Sequence, residues 1–162
     1  MKKYFLILFV LTSISSFSQT DYSKVVMASD ADYKPAEKYA LEASNYLLSA
    51  PLDTKNTKLA VATKFLLKFM EGTPDYTYII ESPVVTKLNS ENEGLLGVYF
   101  AGMTKFSLEN TAKAQDPQLV MVSGIKTVLA YAEKPENKVT ITETLKKLFE
   151  LNKNGELEKL FK

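Results

Sequence analysis

The chain predicts an all-α domain of antiparallel helical hairpins, five to seven helices in all, packed around one buried central helix. Three observations carry this. Apolar residues recur at three- and four-residue spacing along most of the chain, the period of a helix with one buried face. All six prolines, at positions 35, 51, 74, 83, 117 and 135, fall at or beyond the ends of those periodic stretches. Third, the stretch Ser90–Asn110, SENEGLLGVYFAGMTKFSLEN, is apolar on most sides, as a helix buried on most sides must be.

The first segment, MKKYFLILFVLTSISSFSQ, has the layout of an export signal. Lys2 and Lys3 supply a positive start, Tyr4–Leu11 an apolar run, and Ser16 and Ser18 the small residues that a signal peptidase reads. Cleavage is expected between Ser18 and Gln19, which divides the chain into a signal peptide (1–18), an N-terminal linker (19–34) and one helical domain (35–162). The expected location is the periplasm or the cell exterior. The mature chain of 144 residues suits a single domain. It is large enough to bury a core without disulfides, and it has no cysteine to form any.

The first helix is expected from Pro35 to Ala50, with Tyr39, Ala43, Tyr46 and Leu47 on its apolar stripe and Pro51 beyond it. Proline suits the first helical position, where its missing N–H costs nothing. A second helix, from about Thr54 to Glu71, carries Leu59, Ala62, Phe65, Leu66, Phe69 and Met70 at helical spacing, and Gly72 and Pro74 end it. Thr73–Ser82 (TPDYTYIIES) alternates at Tyr76, Tyr78 and Ile80, but no second strand is visible to pair with it; an ordered loop is expected. Ser82-Pro83 opens a short helix through Leu88.

Ser90 and Glu93 read as a capping box for the central helix. Gly94, Gly97 and Gly102 each cost about 1 kcal/mol against alanine inside a helix, so close approach of neighbouring helices must offset them. Gly97 and Ala101 form a small-x-x-x-small pair suited to that approach. The uninterrupted non-polar run, Gly94–Met103, is too short to span a bilayer. Asp116-Pro117 opens a helix to about Glu133, and Pro135 and Asn137 break it. Thr140 and Glu143 read as a second capping box, for a helix ending at Asn154-Gly155. Leu157, Leu160 and Phe161 are expected in a last turn against the bundle.

Composition excludes much chemistry. The chain contains no Cys, His, Trp or Arg. Thiolate and imidazole metal sites therefore have no ligands, and triads built on His cannot form. Asp30-x-Asp32 fails as a calcium loop, since Pro35 and Leu41 stand where Gly and Glu are required. No metal and no cofactor is expected. The mature chain has 18 Lys against 19 acidic residues, which gives no basic footprint for nucleic acid.

Paired short-looped helices resemble tetratricopeptide-type hairpins in architecture, although the strict repeat fails at Lys55 and Leu59. The segments GTPDYTY (72–78) and LLGVYFAGMTKF (95–106) are similar to those of a group of exported bacterial helical proteins; that likeness implies no activity.

The leading functional expectation is a non-enzymatic exported module that binds a protein or peptide. Its candidate contact residues are Asp75, Tyr76 and Tyr78, since aromatic rings make good interface anchors. One alternative is a small hydrolase using opposed carboxylates, with Glu91, Glu93, Asp75 and Glu81 as candidates; in a first helical turn, Glu91 and Glu93 serve equally to favour the helix dipole. Lys105 is the one lysine placed for Schiff-base chemistry, or simply for snorkelling from a helix edge. A further alternative is a carrier holding an apolar ligand among Phe65, Phe69, Met103 and Phe106.

Overall fold

The computed structural model describes residues 20–161. The six α-helices are α1 (Asp30–Ser49), α2 (Thr57–Gly72), α3 (Pro83–Glu91), α4 (Leu95–Glu109), α5 (Pro117–Ala132) and α6 (Glu143–Lys153). Short 3-10 turns lie at Tyr22–Lys24, Pro135–Asn137 and Leu157–Phe161. The fold is all-α, with no strand among the described residues. The expected signal segment and its cleavage point lie outside them, as does the side chain of Phe161.

Helix α4 packs against α1, α2, α3 and α5, so it is central. Leu95, Val98, Tyr99, Phe100, Ala101 and Met103 are all buried. Each large side chain of this kind contributes about 1.5–3 kcal/mol on burial. The α4 glycines mark close approach. A Cβ on Gly102 would stand 2.6 Å from Thr127 Cβ of α5, and one on Gly97 would overlap the Thr63 hydroxyl of α2. Helix α5 answers in kind: a Cβ on Gly124 would lie 2.6 Å from the Tyr99 ring.

Helices α1 and α2 form an antiparallel hairpin. At one end Tyr33 packs on Phe69, ring centroids 6.1 Å apart, and against Gly72. At the other, Asn56 Nδ2 donates to the Tyr46 hydroxyl at 3.5 Å. Tyr22 stacks on Phe65 at 4.7 Å. Tyr22 and Met27 are buried, so the stretch expected as linker contributes to the core.

Four helix starts differ from expectation. Helix α2 begins at Thr57, three residues after Thr54, because the Asn56 side chain caps it by accepting the Lys58 N–H at 3.1 Å. Helix α1 begins five residues before Pro35, at Asp30. The Asp32 carboxylate accepts the backbone N–H groups of Ala28 and Ser29 at 3.0 and 2.8 Å. Those bonds hold its pKa below the usual carboxylate value. Side-chain capping outweighed the proline signal, and it gives Asp32 a structural use. The Ser90–Glu93 box is not used. Ser90 belongs to α3 and donates its hydroxyl to Lys87 O, and α4 starts after Gly94, which has φ +97°. Gly94 thus lies outside the helix, in a left-handed conformation that favours glycine. The Thr140–Glu143 box also yields: Thr142 is the cap, accepting the Leu145 N–H at 3.3 Å. Thr140 is engaged elsewhere, with Asn92.

Thr73–Ser82 is an ordered loop without strand pairing, crossing the bundle where Tyr99 donates its hydroxyl to Ile79 O at 3.5 Å.

Candidate functional site

The start of α4 leaves a cleft. Glycine at 94 has no side chain to cap the helix, and Asn89, on the last turn of α3, does that work. Its Oδ1 accepts the N–H groups of Gly94 and Leu96 at 3.2 and 3.3 Å. With the Leu95 and Gly97 N–H groups donating to Asn92 O and Gly94 O, the orphan amides of the first turn are satisfied. Gly97 follows one turn on, with Thr63 of α2 packed directly against it. Between the start of α4, the end of α1 and the outer face of α2 lies a half-enclosed cleft of about 390 Å3.

Its walls are mostly apolar: Leu47, Leu52, Leu59, Leu67, Leu96 and Val98 all contribute. The volume falls in the range of small-molecule and side-chain pockets. Polar atoms are few. Thr63 and Asn56 lie on the α2 side, and Asp53, Lys64 and Glu93 stand exposed at the rim.

The wall formed by residues 50–54 is not a loose loop. Tyr131 donates its hydroxyl to Ala50 O at 2.6 Å. The Leu52 N–H donates to Asn137 O at 3.2 Å. Asn137 is buried and donates its side-chain amide to Tyr131 O at 2.8 Å. Burial pushes the Tyr131 phenol up to about 12, so it remains a donor across the physiological range. Tyr131 of α5 and Asn137 of the α5–α6 connection therefore hold one side of the cleft in place, Tyr131 from 81 residues along the chain.

The residues singled out from sequence lie elsewhere. Asp75 is exposed, whereas Tyr76 is 8 % exposed and donates its hydroxyl to Glu37 at 3.2 Å. Tyr78 turns its hydroxyl inward, toward Ser107 and Thr104, and burial raises its pKa. The two rings lie 6.3 Å apart, tilted, and help close this side of the bundle. Asp75 and Tyr76 share only a shallow groove with Asp30, Lys34, Thr111 and Gln115.

The carboxylate candidates do not converge. Glu91 accepts the hydroxyls of Thr142 and Thr144 at 2.5 and 2.9 Å. Those bonds hold its carboxyl below the usual value and tie α3 to α6. Glu81 is exposed on the loop. Lys105 pairs with Glu109 at 2.7 Å and donates to Asn45 at 2.9 Å. It is an edge lysine, not a desolvated nucleophile. The proposed carrier lining does not form either: Phe65, Phe69 and Met103 are filled core, and Phe106 lines a separate groove between α4 and α5.

Leu52, Asn56, Asn89 and Glu93 build the cleft without having been singled out for it. The available signal was an asparagine five residues before a glycine, inside a stretch dense in glycine.

Among the described residues no cluster of acidic side chains is arranged to hold a metal, and no helix is long and apolar enough to cross a membrane. Compared with known protein families, with characterised proteins and with solved structures, the chain matches none, and the geometry of the cleft carries the functional reading.

Proposed function

We propose that the protein is an exported, non-enzymatic binding module of the periplasm or cell exterior. Its α1–α2–α4 cleft takes the apolar side chains of a short peptide or protein segment. The observation that carries this is the half-open apolar cleft of about 390 Å3 beside the exposed Gly94 at the start of α4. A partner's backbone can approach closely at Gly94, which is exposed and presents no side chain. Leucine-rich walls offer area: at roughly 25 cal/mol per Å2 of apolar surface, one or two seated side chains supply useful affinity. Export rests on the layout of residues 1–18 and on the likeness of segments 72–78 and 95–106 to those of exported helical proteins. The tetratricopeptide likeness of the hairpins suits peptide binding as an architecture, and fold alone assigns no function.

The hydrolase reading has one observation in its favour, since Asp53 and Glu93 share the cleft. Both stand in solvent, whereas the acid of a catalytic carboxylate pair needs a desolvated position. Binding is the better account.

The test is an amide NMR titration of the mature chain with the blocked peptide acetyl-Leu-Phe-Leu-Gly-amide. Shifts concentrated at Leu59, Gly94, Leu96 and Gly97 are expected. They should be lost in Ala60→Trp, which fills the cleft mouth from an exposed position. Perturbations scattered over the surface, or unchanged in that variant, sink the reading. Export is checked separately by the N-terminus of protein recovered from the envelope, expected at Gln19.

A further inference from the structure

The cleft is apolar within and charged at its rim, and those charges are arranged. Leu52 and Gly94 are neighbours, since a Cβ on Gly94 would lie 3.2 Å from Leu52 Cδ2. Asp53 and Glu93, the residues flanking that contact, therefore stand at one end of the cleft. Both are exposed lining residues. Neither makes an ion pair among the described residues. Asp53 accepts one backbone N–H, from Lys55 at 2.9 Å, which leaves carboxylate lone pairs free.

Lys64 is the only cation of the lining. It lies on α2 two turns beyond Asn56, about 12 Å along the helix axis at 1.5 Å per residue. It is thus displaced from the start of α2, where Asn56 follows closely on Asp53. The rim has an acidic end and, further along α2, a basic position. The N–H groups at the start of α4 are already bonded within the chain, to Asn89, Asn92 and Gly94. They do not make that end a site for an anion.

We infer that the occupant of the cleft is a basic–apolar peptide segment: apolar side chains seated between α2 and α4, with an adjacent lysine or arginine ammonium or guanidinium meeting Glu93 and Asp53. This rests on the cleft reading above and adds the charge and orientation of the occupant. An arginine fork or a lysine ammonium gains a charge-assisted hydrogen bond there. At an exposed rim each such pair is modest and screened by salt. The apolar walls therefore supply most of the affinity, and the carboxylates supply discrimination.

The experiment compares two blocked peptides by NMR titration of the mature chain at low ionic strength: acetyl-Lys-Lys-Leu-Phe-Leu-amide and acetyl-Glu-Glu-Leu-Phe-Leu-amide. The lysine peptide should bind more tightly, by about threefold to tenfold, with the advantage reduced by added salt. Glu93→Lys, a change at an exposed position, should reverse the order of the two peptides. If both peptides bind in the cleft equally, or the order survives Glu93→Lys, the charge inference is overturned and the apolar cleft stands. If neither perturbs the cleft residues, both readings fail together.

Discussion

Asn92 and Thr140, 48 residues apart, exchange two hydrogen bonds: Asn92 Nδ2 donates to Thr140 O at 3.0 Å, and the Thr140 N–H donates to Asn92 Oδ1 at 2.8 Å. A side-chain amide here plays the part of a neighbouring peptide strand. Asn92 is also where α3 ends, so one buried residue joins the α3–α4 turn to the α5–α6 connection. Asn92→Ala removes both bonds, and since Thr140 is exposed and water can take its groups the cost should be about 0.5–1.5 kcal/mol for each bond. Asn92→Asp keeps the acceptor but sets a carboxylate oxygen against Thr140 O, so near neutral pH it should cost at least as much as alanine. Urea denaturation of the three proteins checks the order.

The α4–α5 contact sets a second expectation. A Cβ on Gly124 meets the Tyr99 ring at 2.6 and 2.7 Å and Met103 Cγ at 2.8 Å. Tyr99 is fully buried and cannot swing aside. Gly124→Ala should destabilise by about 1–3 kcal/mol through overpacking, despite alanine's better helix propensity. The denaturation midpoint reads it directly. A neutral result would show that α5 can slide.

Acid should loosen the α3–α6 tie. The hydroxyls of Thr142 and Thr144, with Lys87 nearby, favour the ionised form of Glu91 and lower its pKa from 4.5. A carboxyl whose pKa is depressed on folding adds stability above its unfolded value and loses it as pH falls through the folded value. The Glu91 contribution is therefore present at neutral pH and declines below about 4.5. Glu91→Gln should remove that part of the acid sensitivity, read as a flatter midpoint-against-pH curve.

The Tyr78 hydroxyl is buried facing those of Thr104 and Ser107, and none of the three completes a well-formed hydrogen bond. A buried polar group without a hydrogen bond costs free energy, so Tyr78→Phe should be neutral or stabilising by up to about 1 kcal/mol. Tyr76→Phe differs, since it removes a bond to Glu37 and should cost about 0.5–1.5 kcal/mol. Thermal denaturation of the two variants separates them.

Helix content, helix number and the central place of residues 95–109 were legible along the chain, because periodicity of apolar residues is a local signal that burial obeys. The close approaches implied by Gly97 and Gly102 were legible for the same reason: a mid-helix glycine is costly unless something lies against it. Which residues cap which helix was not. Asn89 caps α4 from the preceding helix, Asp32 outranks Pro35, and Thr140 gives way to Thr142 because Asn92 claims its backbone.

The sequence by itself determined the helices, their core faces and the chemistry the chain lacks, since these depend on residue type and spacing. Only the tertiary structure decided where a cleft opens. That depends on Leu52, Thr63 and Gly97 meeting from three segments, and on Tyr131 and Asn137 anchoring the 50–54 wall from the far end of the chain. It also turned Tyr76 and Tyr78 inward, because at this end of the bundle their rings had apolar surface to cover. Spacing along one helix reports which face is buried, and says nothing of what stands opposite it.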